Sequence, residues 1–228
     1  MKSPSELRIP LEAGATTALA YTADSSAFAA LVLGHGAGAG QRSTFMVDFA
    51  RAISALGVDV ITFNFPYIEQ SRRIPDRAPV LESCYRAVIA SVHGQLPAAK
   101  RALFIGGKSM GGRIATQVAA ADPTLPIAGL VLLGYPLHPP GRPTERRDKH
   151  LPSVGRPMLF VQGARDAFGT PAEIASVVET IGPSASIHIV SGGDHSLKLA
   201  RKDPAAQAAV YDNVQRTIVE WMRTITRK

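Results

Sequence analysis

Cysteine is almost missing from this chain. Its 228 residues include one, Cys84, which excludes an internal disulfide and leaves no cysteine cluster to hold a metal. Aromatic residues are sparse, at 6%, and the basic residues are scattered, so the net charge of +7 reads as a soluble basic surface rather than a nucleic-acid-binding face. No apolar run reaches membrane-spanning length. The opening "MKSPSELRIP" lacks the apolar core of a signal peptide, so a cytoplasmic protein with no membrane partner is expected. Internal repeats and linker-like tracts are also lacking. What is there is 46% hydrophobic against 19% charged, which is globular, and the length suits one domain over 1–228 with a substantial core.

Apolar runs with strand character recur roughly every thirty residues, as in a strand–helix alternation. They are "AALVLG" (29–34), "VDVITFNF" (58–65), "RALFIG" (101–106), "IAGLVLLG" (127–134), "PMLFVQG" (157–163) and "ASIHIV" (185–190). The runs are continuous, not alternating, as strands covered on both faces should be. Between them lie helical patterns. The stretch 78–96 puts Leu81, Tyr85, Val88, Val92 and Leu96 on one stripe; 208–225 does the same with Val210, Val214, Ile218, Met222 and Ile225. The expected fold class is α/β, a mainly parallel sheet with helices on both faces. "LRIPLE" and "TTALAYTA" read as an extra hairpin before the first parallel strand.

Two glycine turns carry the chemistry. In "GGKSMGG", 106–112, a Gly-Lys-Ser triplet suggests a phosphate loop. That loop would need glycine at 102, where Ala102 stands, and an aspartate after "GLVLLG", where none follows. The same stretch reads G-x-S-x-G from Gly107 to Gly111. Directly after a strand and before a helix, it fits a strained turn that lifts the Ser109 hydroxyl above the sheet. Side chains at 107 and 111 would strike neighbouring backbone, hence glycine. The second turn, "LVLGHGAGAG" (31–40), also resembles a dinucleotide fingerprint, but the following strand ends at Asn64-Phe65 without the acid that would hold a ribose. Read as a hydrolase turn, it aims the Ala37 N–H at a substrate oxyanion, with Met110 N–H as second donor and His35 bracing the turn.

A serine nucleophile needs a base, and the base an orienting acid. The order Ser, acid, His is met by Asp166 in "FVQGARDAFG" and His195 in "HIVSGGDHSLK", each following a strand. Asp194 adjoins His195 and is read as shaping the turn. His188 lies inside a strand, His93 on a helix flank, and Cys84 at packing positions of a helix. His138 and His150 fall in a Pro- and Arg-rich loop near the expected mouth, and His138 is a candidate substrate contact.

These stretches, with "FNFPYIEQSRRIPDRAPVLE" and "LGYPLHPPGRP", resemble the α/β-hydrolase superfamily, in particular its compact dienelactone-hydrolase-like branch. Within it they are similar to a small predicted-hydrolase family that includes relatives of testis-expressed protein 30 and of NSL complex subunit 3. The resemblance covers nearly the whole chain. It implies an eight-stranded sheet and a triad of Ser109, Asp166 and His195. Dienelactone hydrolases proper use a cysteine where Ser109 stands here. Some relatives have lost catalytic residues and act as scaffolds, so a non-catalytic interaction module is the alternative reading.

Only 22 residues, 135–156 ("YPLHPPGRPTERRDKHLPSVGR"), separate two strands where lipases insert a lid. That predicts a lidless, open and shallow site for a small acyl group. The loop carries Arg142, Arg146, Arg147 and Lys149, and "QSRRIPDR" adds Arg72, Arg73 and Arg77; Arg142 is the candidate contact for an anionic substrate group. The expected partner is a small-molecule ester or thioester, with no metal or organic cofactor implied.

Overall fold

The continuous apolar runs become strands because both of their faces are covered. The structure, a computed structural model, describes residues 3–201 and 203–227; Met1 and Lys2 of the opening stretch lie outside the described residues. Strands β1 (Ser5–Pro10), β2 (Ala15–Tyr21), β3 (Ala29–Gly34), β4 (Val58–Phe63), β5 (Leu103–Lys108), β6 (Gly129–Leu133), β7 (Met158–Gly163) and β8 (Ala185–Val190) form one sheet. Its order is β1-β2-β4-β3-β5-β6-β7-β8. From β4 through β8 all neighbours are parallel. The hairpin β1–β2 adds on antiparallel beside β4, as the N-terminal pattern predicts.

Alternate residues of each central strand enter different cores. Val32, Ile61, Ile105, Leu132 and Phe160 face one layer of helices, α3 (Ala78–Gln95) and α5 (Met110–Ala121) with α6 (Pro171–Ile181). Leu31, Val60, Phe104, Val131 and Leu159 face the other, α1 (Thr44–Ala55) and α7 (Pro204–Thr226). A strand with two dry faces cannot alternate apolar with polar residues. The stripes on 78–96 and 208–225 are the buried sides of α3 and α7.

Two strand boundaries shift because a proline starts a helix beside them, and one strand takes an edge position. The run 101–106 yields a strand two residues later, because Pro97 starts a short helix, α4 (Pro97–Arg101), that absorbs Arg101. The run 58–65 leaves the sheet at Phe63, since Pro66 opens another one-turn helix, α2 (Pro66–Glu69). Strand β8, mostly apolar with Ser186 and His188, lies at the sheet edge, with Ile189 half exposed. Between β6 and β7 the only helical element is a 3₁₀ turn, Leu151–Val154, so no cap covers the carboxyl ends of the strands. Among the described residues no helix is long and apolar enough to cross a membrane.

Candidate active site

The chain turns sharply where β5 meets α5. Ser109 sits at that corner with φ 49° and ψ −112°, a conformation that costs a side-chain-bearing residue about 1–3 kcal/mol. It is held there by Ser109 N donating to the Leu133 carbonyl (2.9 Å) and by the Ser109 carbonyl accepting from Arg113 N (3.1 Å). Gly107 and Gly111 both press on β3: a Cβ on either would overlap the carbonyl oxygen of Gly34. Those two glycines therefore let the corner come down onto the neighbouring strand.

Loops at the carboxyl ends of β7 and β8 bring in the partners. His195 Nε2 lies 2.8 Å from Ser109 Oγ, and its Nδ1 lies 2.8 Å from Asp166 Oδ2 and 3.0 Å from Oδ1. A carboxylate facing Nδ1 fixes the hydrogen on that nitrogen, leaving the Nε2 lone pair for the serine hydroxyl. Asp166 is 1% exposed, and it also accepts from Gln162 Nε2 (2.8 Å) and Phe168 N (2.8 Å). Phe168 stacks on the His195 ring, centroids 4.1 Å apart. Asp194 points away: its carboxylate accepts from Ser196 N (2.7 Å) and Lys198 N (2.9 Å) and shapes the turn that carries His195.

The N–H groups of Met110 and Ala37 make no intramolecular hydrogen bond among the described residues. Met110 opens a helix, where an unpaired N–H is inherent. His35 braces the other turn as expected. Its Nδ1 lies 2.8 Å from the Gly36 carbonyl and its Nε2 accepts from Phe65 N (3.0 Å). Burial lowers its pKa to about 4, so it is a neutral strut. Lys108, the residue before Ser109, is buried and donates to the His195 carbonyl. Burial lowers its pKa to about 8, against the pull of Asp166 and Asp194.

A cavity of about 700 Å³ opens over Ser109 and His195, a size typical of small-molecule sites. Pro75, Asp76, Ala78 and Leu81 form part of its wall. Neither of the expected substrate contacts borders it. Arg142 is exposed and pairs with Glu145, while His138 is buried with Nε2 3.2 Å from Glu173. Arg72, Arg73 and Arg77 also stay off the wall, Arg72 pairing with Asp76. Arg113, Arg147, Lys108 and Lys198 line it instead. His150 Nε2 is 2.8 Å from Thr116 Oγ1. His93 is half-buried in the last turn of α3, and burial lowers the pKa of His188. Cys84 is buried with its thiol pushed up to about 12 by desolvation, consistent with a packing role. Gln162 and Phe168 were not singled out from the sequence. The available signal was a glutamine closing an otherwise apolar strand, "MLFVQG". No cluster of metal-ligating side chains occurs among the described residues.

Residues 27–223 match the family described as Alpha/beta hydrolase domain. The chain belongs to that family. This α/β-hydrolase shares its fold with an α/β serine hydrolase homologue from Coxiella burnetii, at TM-score 0.74 and 17% identity over 96% of this chain and 98% of that one. A Xanthomonas campestris α/β serine hydrolase without a lid gives 0.70 and 21%, over 95% of each chain. Dienelactone hydrolase from Anabaena variabilis gives 0.71 and 18%, over 94% and 97%. Family membership supports hydrolase activity, and the eight-stranded sheet is the one the sequence resemblance implies.

Proposed function

We propose that this α/β-hydrolase is a serine-dependent esterase or thioesterase acting on a small acyl substrate through a covalent acyl-enzyme. The observation that carries the reading is the unbroken hydrogen-bonded line Asp166–His195–Ser109 beneath an open cavity. Ser109 Oγ attacks the carbonyl carbon as His195 Nε2 takes its proton. The carbonyl oxygen gains the negative charge, and the free N–H groups of Met110 and Ala37 are the candidates to stabilise it. His195 then passes the proton to the departing alcohol or thiol. In the second half a water loses its proton to His195 and attacks the acyl carbon, and His195 returns that proton to Ser109 Oγ as the acid is released. Asp166 holds the imidazole in its working tautomer throughout and offsets the charge it gains.

Within the family we read the chain as akin to the small predicted-hydrolase group that includes relatives of testis-expressed protein 30 and NSL complex subunit 3. Scaffold members of that group lack catalytic residues, whereas Ser109, Asp166 and His195 are all present here, which favours catalysis over a purely interacting role. Labelling with a fluorophosphonate probe separates the two. The probe should modify Ser109, and Ser109→Ala should abolish labelling and lower turnover of short activated esters by at least roughly 1,000-fold. Undiminished turnover by pure Ser109→Ala protein would refute the proposal.

A further inference from the structure

Two arginines share the cavity wall without an ion-pair partner among the described residues. Arg113 stands on α5 one turn beyond Ser109, and Arg147 stands on the loop between β6 and β7; both line the cavity. Arg147 is on a fixed piece of backbone: its N–H donates to the Leu137 carbonyl (2.8 Å) and its carbonyl accepts from Tyr135 Oη (2.7 Å). The two guanidinium groups belong to the lining of one cavity. Burial first, and Arg147 second, lower the pKa of Arg113.

The neighbouring acids do not neutralise them. Among the described residues neither Arg113 nor Arg147 forms an ion pair with a carboxylate, as several exposed arginines also do not, but these two are half-buried in a cavity wall. Glu82 acts on Arg113 only from beyond ion-pair distance, and Asp148 is taken by Arg146. The one polar side chain that Arg113 reaches is Gln117, at 3.4 Å. Among the described residues Asp76 is the acid that lines the cavity; its Oδ1 pairs with Arg72, and its Oδ2 is buried without a partner. Two partly buried guanidinium groups without a partner are unfavourable. Each guanidinium presents a planar fork of donors that matches a carboxylate.

We infer that the cavity selects esters whose acyl part ends in a second, ionised carboxylate, held between Arg113 and Arg147. The inference rests on the esterase reading for its reaction and on the arginine pair for its specificity. Arg113 and Arg147 line the same cavity of about 700 Å³ as Ser109, so the second carboxylate belongs within that cavity, as in a half-ester of a short dicarboxylic acid. Hydrolysis would release the free dicarboxylic acid and the alcohol or thiol, with water as the only co-reactant.

The test compares kcat/KM for the mono-p-nitrophenyl ester of glutaric acid with that for p-nitrophenyl valerate, which has the same acyl length and no charge. The wild-type protein should prefer the half-ester by at least tenfold. Arg113→Gln and Arg147→Gln should each cut that ratio by tenfold or more, mainly through KM, and Arg147→Lys should restore part of it. The same change at Arg142, on that loop but outside the cavity, should shift the ratio less than twofold. Fluorophosphonate labelling of Ser109 in each variant shows that the site is still assembled. Calorimetric binding of glutarate to Ser109→Ala protein reads the anion site without catalysis, and Arg147→Gln should weaken it at least tenfold. A wild-type ratio near one with Ser109 labelled overturns the inference and leaves the esterase reading intact. Absent turnover of both esters with glutarate still bound through Arg147 removes the esterase reading and keeps the site. Absent turnover without glutarate binding removes both, and a stronger preference for the ester of 3-phosphonopropionic acid overturns the choice of carboxylate.

Discussion

Two aspartates approach His195, and their hydrogen bonds separate them. Asp166 reaches Nδ1 and is itself anchored by Gln162 and Phe168, whereas Asp194 spends its carboxylate on the backbone of Ser196 and Lys198. Asp166→Asn should keep the fold and cut kcat by orders of magnitude, because an amide offers no charge to the imidazolium and favours the wrong tautomer. Asp194→Asn should cost far less at matched thermal stability; the reverse order would exchange the two assignments. Lys108 allows a different measurement. Its pKa is lowered to about 8 from 10.5, so between those values the unfolded chain holds a proton that the folded protein has released. Stability from this group therefore rises with pH across that window and is lowest below pH 8. Denaturant unfolding of wild type and Lys108→Met at pH 7 and pH 10.5 should show the difference moving in favour of wild type at the higher pH, by up to about 3 kcal/mol. A pH-independent difference would contradict a buried, proton-poor Lys108.

At the scale of elements, the central sheet and the nucleophile corner could be read directly. Runs such as 29–34 and 185–190 coincide with β3 and β8, and "MGGRIATQVAAA" is α5 from end to end. The reason is local: two dry faces impose a continuous apolar run, and a corner pressed on Gly34 admits only glycine two residues either side of the serine. Whether a strand is central or at an edge is not local. "ASIHIV" gives no sign that Ile189 faces solvent, since that depends on nothing pairing beyond β8. The cavity wall was legible only in part. Arg142 and Arg147 are five positions apart in one basic loop, and composition ranks them alike. Arg147 lines the cavity on a backbone tied to Leu137 and Tyr135, while Arg142 turns to Glu145. Arg113 stood in plain view one turn after Ser109, but its significance needs a second guanidinium from a loop remote in sequence.

Over the whole molecule, the absence of a cap decides what kind of acyl chain can gain from binding. The β6–β7 connection contributes one 3₁₀ turn and no lid, so methylenes beyond the cavity stay in water. Each buried methylene is worth about 0.8 kcal/mol only where it leaves water, and four of the residues lining the cavity are cationic. A long alkyl chain would have to cover those charges without compensating them. Past Phe45 the cavity adjoins a groove of about 530 Å³, which shares Thr44, Phe45 and Lys198 with it and is walled by Leu199, Pro204 and Tyr211. This groove is a route by which a longer chain could find apolar cover. Rates on p-nitrophenyl esters should peak at roughly two to six acyl carbons and fall beyond, as a short cavity stops rewarding each added methylene. Turnover of tributyrin should rise smoothly through its solubility limit, because no lid waits to be opened by an interface. A maximum at ten carbons or more would place the acyl chain in the Phe45–Tyr211 groove, and Tyr211→Ala should then shorten the preferred chain. A jump in rate on emulsified tributyrin would contradict the lidless reading of the 134–157 connection itself.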